Sequence, residues 1–306
     1  MKSPLNSIPK TIWFMWLQGL DNAPLLVKKC YASWKKHNPD WNLVLLDEDS
    51  INQYIDLQSL GIQTESIIKQ AFSDLVRINL LARHGGVWVD ATCFCQISLD
   101  TWLDEYAASG FFAFYKPAKD RWIASWFLAS APGCHLVMKW RDESNEYWRD
   151  NHFSSNRSRL INDGDINGDR RRRSFSRDVI HVAVRILQRL INRNAGATKI
   201  WFSYFVRKVI RVYPYFWFHY LFDRVIKQDE KCMQIWMETR KCGANSPHKV
   251  LFSGLLRPLS EEVKRHIDSK QSPVYKLTWK YSDSEYKEGC ALHYLLESAV
   301  TGRHKR

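Results

Sequence analysis

Acidic residues are in short supply in this chain. It carries 32 Asp+Glu against 45 Lys+Arg, a formal net charge of +13. That imbalance suggests an anionic partner: a nucleic acid, an anionic membrane surface or a phosphorylated ligand. Cysteine follows no pairing pattern. The seven residues, at 30, 93, 95, 134, 232, 242 and 290, make no CxxC pair and no zinc-ligand rhythm. This argues against a disulfide framework and for reduced thiols in a cytoplasmic protein. Long apolar runs are missing too. Met1–Lys10 has no apolar core of the signal-peptide kind, so no leader is expected. The strongly apolar run Val212–Phe222, free of Lys, Arg, Asp and Glu, is about half of what a membrane-spanning helix needs. No GxxxxGK[ST], GxGxxG or GxSxG string occurs, which argues against a P-loop kinase, a dinucleotide enzyme and a serine-hydrolase elbow.

Aromatic rings are plentiful: 14 Trp, 13 Tyr and 15 Phe, enough with the 45% hydrophobic content to build a large core. The chain reads as a single domain, 1–306, interrupted by one unusual stretch. Residues 154–212 hold fourteen basic and four acidic side chains, a net of +10, which leaves +3 for the rest. Ser154–Ser176, with Arg170-Arg171-Arg172-Arg173, reads as an exposed loop. Asp178–Ile191 keeps its polar residues at helical spacing among Val, Ile and Leu. Trp201–Phe222 reads as a second helical stretch, aromatic and studded with Arg207, Lys208 and Arg211. Trp201, Phe202, Tyr204 and Phe205 beside those cations suit the headgroup region of an anionic bilayer. The expectation is a basic, helical insert that holds the protein peripherally on a membrane.

The remainder alternates strand and helix. Thr11–Leu17 and Leu43–Leu46 have β-type composition, and Pro24–His37 between them is helical by periodicity and stopped by Asn38-Pro39. Ser66–Arg83 reads as a long helix capped by His84-Gly85-Gly86. Val87–Val89, Phe111–Tyr115 and Ser125–Ala129 read as further strands. The pattern predicts an α/β sheet with crossover helices.

One block concentrates chemistry. In Ser73-Asp74-Leu75-Val76-Arg77, Asp74 and Arg77 are three apart and share a helix face. Gly85-Gly86 permits a tight reversal and close approach of the following backbone to a ligand. Asp90 then stands at the C-terminal end of a buried strand, where open α/β sheets bind ligands. Each signal alone has a plain structural reading: an i, i+3 ion pair, a turn, a cap.

Together they resemble a known pattern. The string SDLVRINLLARHGGVWVDAT resembles the donor-sugar motif of bacterial capsular polysaccharide synthesis proteins. These are related to glycosyltransferase family 32, with its fungal initiating mannosyltransferases, and to the clostridial glucosylating toxins. Ile8-Pro9-Lys10-Thr11-Ile12-Trp13, Ser33-Trp34 and Asn38-Pro39 resemble the opening blocks. Ser125-Trp126-Phe127, His219-Tyr220-Leu221-Phe222, Ser246-Pro247-His248 and Pro273-Val274-Tyr275-Lys276-Leu277 resemble later ones.

The resemblance implies a GT-A-like, Rossmann-type nucleotide-sugar-binding fold and a glycosyltransferase, hexosyl-transferring and retaining. Its donor would be a nucleotide sugar, UDP-linked. Its acceptor would be a growing capsular or surface polysaccharide, an oligosaccharide or a lipid-linked intermediate at the cytoplasmic membrane face. Trp16 would stack on the base, Asp74 and Arg77 would grip sugar hydroxyls, and Asp90 matches the first acid of a DXD motif near ribose and metal. The second acid is replaced by Thr92, a weaker ligand for a hard cation. A divalent cation, Mn²⁺ or Mg²⁺, is expected on Asp90 and Thr92. His248, His219, Ser125 and Trp126 are candidates for the donor, the diphosphate or the acceptor. Two other readings stand beside this one. One is a catalytically degenerate relative, suggested by Thr92. The other is a nucleic-acid-binding protein, suggested by the charge but lacking any RNP, KH, zinc-finger or helix-turn-helix signature; no nucleic-acid partner is expected.

Overall fold

The computed structural model describes residues 6–64, 67–153, 191–281 and 283–301. Its centre is a five-stranded sheet in the order β2-β1-β3-β6-β5. The strands are β1 (Thr11–Met15), β2 (Asn42–Leu46), β3 (Gly86–Asp90), β5 (Phe111–Ala118) and β6 (Arg121–Ser130). β1 pairs in parallel with both β2 and β3. The crossovers between these strands carry helices α1 (Leu25–His37) and α2 (Lys69–His84), as parallel pairing requires. The expected α/β architecture is present, but the sheet is mixed. Only Lys119 and Asp120 separate β5 from β6, too short a link for a crossover, so this pair is an antiparallel hairpin. β6 also runs antiparallel to β3. A second, two-stranded sheet pairs β4 (Cys93–Cys95) with β7 (Val274–Lys276).

Strand alternation sends side chains to two cores. Trp13, Trp88 and Leu128 enter one, with α2, α4 (His135–Arg149), α5 (Trp217–Gln228) and α6 (Glu230–Glu238). Ile12, Phe14, Val87, Val89 and Phe127 enter the other, with α1, α7 (Asn245–Gly254), α8 (Glu261–Asp268) and α9 (Ala291–Thr301). The four-residue α3 (Leu103–Tyr106) precedes β5. α2 is buried on nearly every side, from Asp74 through Ala82. Asn79 and Asn145 exchange a pair of 3.0 Å hydrogen bonds between α2 and α4.

The Gly85-Gly86 cap works as the sequence suggests at its first residue, with φ 64° and its amide donating to the Leu81 carbonyl. The glycines also allow a close approach to neighbouring protein backbone. A Cβ on Gly86 (φ 91°) would lie 2.6 Å from the Thr11 carbonyl of β1, and one on Gly85 would lie 2.7 Å from the backbone nitrogen of Pro132.

Residues 154–190 of the expected insert lie outside the described residues. Trp201–Phe222 is not one helical stretch. A 3-10 segment (Ala197–Phe202) and a π-helical turn (Phe205–Ile210) end at Arg211, whose backbone is left-handed at φ 59°, and α5 begins only after Pro214. The aromatics divide between inside and outside. Trp201 is buried and donates to Asn192 (2.9 Å), and Phe202 packs edge-on against Tyr147, so neither is available to a bilayer. Tyr204 and Phe205 point outward, 72% and 60% exposed. The cations are also partly committed: Arg207 donates to the Phe202 carbonyl, Arg211 to that of His152, and Lys208 to that of Asp150.

Candidate functional site

α2 ends next to the strand it feeds, so Asp74, Arg77 and Asp90 meet although sixteen residues of chain run from the first to the last. Arg77 organises them. Its side chain is only 5% exposed and its guanidinium spreads five donors. Nη1 donates to the Ser125 carbonyl (2.5 Å), Nη2 to Ser73 Oγ (2.9 Å), and Nε to the Ser73 carbonyl (3.3 Å). Nη2 also lies 3.2 Å from Asp90 Oδ1, and Nη1 lies 3.4 Å from Asp74 Oδ1. The Trp88 ring sits 5.0 Å from the guanidinium carbon, and its indole N–H donates to Asp90 Oδ1 (3.1 Å).

The other oxygen of Asp90 faces a residue from far along the chain. Lys276 Nζ lies 3.0 Å from Asp90 Oδ2 and donates to Thr92 Oγ1 at 2.6 Å. The small sheet places it there. Cys93 is the register partner of Lys276, and the Leu277 amide donates to the Thr92 carbonyl (2.9 Å).

The two carboxylates sit in opposite electrostatic states. Burial pushes the Asp74 carboxyl up to about 7, with Arg77 opposing and Asp90 adding to the rise. Burial also opposes ionisation of Asp90, but Lys276, then Arg77, together with the Trp88 and Lys276 hydrogen bonds, outweigh it and hold Asp90 at about 2. Burial works against the Lys276 ammonium, and Asp90 more than offsets this, so Lys276 is raised and stays charged.

The other residues singled out in the sequence lie around this cluster. Met15 is the register partner of Asp90, so Trp16 follows at the same end of the sheet. Trp16 meets Trp279, three residues beyond Lys276, and its indole N–H is buried without a partner among the described residues. Ser125 joins the cluster through its carbonyl, not its hydroxyl. His219, on α5, is buried with Nδ1 unpartnered, and burial together with the charges of Arg121 and Arg77 holds it neutral, well below its usual value. Trp126 belongs to the other core, stacked on Phe114 at 4.8 Å and edge-on to His248. His248 donates Nδ1 to the Ala244 carbonyl (2.7 Å), stacks on Phe252, and is lowered by burial, with Lys276 and Arg121 contributing. It therefore neighbours the cluster from the far side of the sheet. Sequence reasoning assigned no role to Lys276; its only signal was its place in the Pro273–Leu277 block.

The donor set does not suit a divalent cation. A hard dication is held by one or two carboxylates with water and phosphate oxygens, and with no fixed cation competing for the carboxylate. Here one carboxylate and one hydroxyl converge, and an ammonium already bonds both. Among the described residues a separate cluster, His135, Asp229 and Cys232, has ligand-like atoms close together. Its bonds are structural: Asp229 caps α6 by accepting from the Cys232 amide (2.9 Å) and accepts from His135 Nε2 (3.1 Å).

A profile of capsular polysaccharide synthesis proteins matches residues 1–156 and 194–295, well over half of the chain. The chain belongs to that family. The matched stretches contain every residue of the Asp90 cluster, and the match breaks inside the basic insert, leaving 194–212 within the family's own sequence. Two fungal proteins are also similar. The O-glycosyltransferase braB of Annulohypoxylon truncatum is 24% identical over 159 residues, 45% of this chain and 38% of that protein. The glycosyltransferase afumC of Aspergillus fumigatus is 30% identical over 111 residues, 32% of this chain and 28% of that protein. The chain thus spans well under half the length of these relatives. A solved structure, the PaToxG glycosyltransferase, aligns with 62% of this chain and 78% of its own at 14% identity and a TM-score of 0.34.

Proposed function

We propose that this family member is a glycosyltransferase of GT-A type that takes its sugar from a nucleotide-sugar donor at the Asp90 cluster. The observation that carries the reading is the convergence of Asp74, Arg77 and Asp90 on one guanidinium-centred network at the C-terminal ends of β1 and β3. Open α/β sheets bind nucleotides at this edge. Asp74, raised to about 7, exchanges between accepting from and donating to sugar hydroxyls near neutral pH. Arg77 holds Asp74 and Asp90 apart at fixed spacing, and Asp90 accepts from the ribose. Trp16 offers its ring to the base and its orphaned N–H to a polar edge. His219, neutral and with Nδ1 unpartnered, is placed to hydrogen-bond the diphosphate or the acceptor.

Membership of the capsular polysaccharide synthesis family supports a capsular or surface polysaccharide acceptor. A UDP-linked donor, a hexosyl group and retention of configuration are part of this reading, supported by the resemblance of the Ser73–Thr92 block. Contact with an anionic membrane is supported by the outward Tyr204, Phe205 and Val209. No helix among the described residues is long and apolar enough to cross a membrane. Salt-reversible flotation with anionic but not neutral vesicles tests this contact.

The deciding experiment is a panel of nucleotide sugars tested for binding and for release of the nucleoside diphosphate. Turnover of one donor supports the proposal. Binding without turnover favours the degenerate reading that Thr92 suggests. Binding of random DNA with a steep salt slope, and of no nucleotide sugar, favours the nucleic-acid reading.

A further inference from the structure

We infer that Lys276 is the resident cation of this site, serving the donor's diphosphate in the place where a divalent metal would otherwise stand. The inference rests on the nucleotide-sugar reading above. It is carried by the positions of three atoms. Lys276 Nζ sits 3.0 Å from Asp90 Oδ2 and 2.6 Å from Thr92 Oγ1, so it lies between the two side chains that a metal at this position would use.

Charge gives the same answer as geometry. Two carboxylates at 90 and 92 would carry −2 and call for a dication. Asp90 with Thr92 carries −1, and the Lys276 ammonium balances it. Arg77 Nη2, 3.2 Å from Asp90 Oδ1, adds further positive charge. A dication brought to Asp90 would have to displace Lys276 and then remain beside both cations. With no second carboxylate, only a metal carried in on the diphosphate could make that exchange, and the comparison of EDTA with Mn²⁺ detects it.

The ammonium also has capacity to spare. Lysine carries three N–H donors, and the hydrogen bonds to Asp90 and Thr92 use two. The side chain is 19% exposed, which leaves one side open to a phosphate oxygen. Its position is set by backbone pairing, Cys93 with Lys276 and the Leu277 amide on the Thr92 carbonyl, and does not depend on a flexible loop. The acceptor oxygen bonds to the anomeric carbon, and the acceptor's proton passes to the diphosphate or to solvent. As the bond from that carbon to the diphosphate oxygen breaks, the electron pair of the broken bond leaves with the diphosphate. A charged donor already aimed at that oxygen stabilises the growing negative charge without reorganising.

The test measures binding of UDP and other nucleoside diphosphates to the full chain, in EDTA and in Mn²⁺, with free Mn²⁺ followed separately by its electron paramagnetic resonance signal. The expected result is an equal affinity in EDTA and Mn²⁺, within about twofold, and no depletion of the free Mn²⁺ signal by the protein. Lys276→Met should weaken binding in EDTA by about 10- to 100-fold, the loss of one charge-assisted hydrogen bond. The double variant Thr92→Asp with Lys276→Ala should recover binding only when Mn²⁺ is present, and should now deplete the Mn²⁺ signal. The inference is overturned if the unaltered protein loses about tenfold or more in EDTA, or captures Mn²⁺ in a manner abolished by Asp90→Asn. Unchanged binding by a folded Lys276→Met overturns it as well. Metal-dependent binding would sink this inference alone. Failure of every nucleoside diphosphate to bind, with or without metal, would sink the glycosyltransferase reading and this inference with it.

Discussion

The rings of Trp16 and Trp279 meet edge to face, their centroids 5.9 Å apart and their planes at 89°. Trp279 braces Trp16 from the side, so Trp16 keeps a fixed orientation beside the end of β3. Trp16→Ala should weaken nucleotide binding by about 10- to 100-fold through lost stacking, whereas Trp16→Phe should retain most of it. Quenching of tryptophan fluorescence by added nucleotide measures both. Equal affinity in all three proteins would place the base elsewhere.

Arg77 joins α2 to β6 through the Ser125 carbonyl and compensates the charge of Asp90. Its removal leaves a buried carbonyl unpaired and a carboxylate less compensated, so Arg77→Ala should lose about 3–5 kcal/mol of folding stability as well as donor binding. Denaturant unfolding reads the stability. A variant as stable as the parent would show that the guanidinium contributes little to the fold. Asp74→Asn keeps the shape and should reduce turnover by about 30- to 1,000-fold while the protein stays folded.

Asp74 also leaves a trace in the pH dependence of stability. Its carboxyl is raised from 3.8 to about 7 in the folded protein. Between those values the folded state holds a proton that the unfolded state has lost, so this group's contribution falls as pH rises and levels off above about 7. His219, depressed by burial, acts in the opposite sense, with stability gained as pH rises toward the usual histidine value. The readout is therefore the difference in melting temperature between wild type and Asp74→Asn from pH 4.5 to 8. Wild type should lose ground relative to the variant across that window. A flat difference would mean that Asp74 is ionised throughout.

Gly86 has no room for a side chain. Gly86→Ala combines a left-handed φ of 91° with a Cβ 2.6 Å from the Thr11 carbonyl. It should cost on the order of 2–4 kcal/mol, since neither the backbone of β1 nor that of β3 can yield cheaply. Thermal unfolding checks this, and Gly19→Ala serves as the comparison, with a similar φ of 74° but nothing within 4 Å of its Cβ.

What could be read in the sequence was local. α1, α2 and the Gly85 cap follow from periodicity and end signals within a few residues, and the structure places them within one to three residues of the expected bounds. Asp74, Arg77 and Asp90 were legible because helix spacing and one turn bring them together. Lys276 was not, because only the β4–β7 pairing unites it with Asp90, 186 residues away. The division within Trp201–Phe205 was hidden for a related reason. Composition marks an aromatic run as apolar, but the left-handed turn at Arg211 and the packing of Tyr147 decide which rings face inward. Phe111–Tyr115 and Ser125–Ala129 read as two separate strands of an alternating fold, whereas the observed strands extend toward each other to residues 118 and 121. Only the length of the link at Lys119 and Asp120 reveals a hairpin.

The chain runs out past the end of α4 at Phe153 and comes back through Arg211 and Tyr213, and these two points are stapled together. Phe153 and Tyr213 have ring centroids 5.0 Å apart, and Arg211 and Lys208 grasp the carbonyls of His152 and Asp150. Ile191, Trp201, Phe202 and Val206 join the core beside that neck, so residues 191–210 are held by packing and not by loop closure alone. The gap in the family match from 157 to 193 falls between these two stapled points, and the match resumes close to where the core packing does.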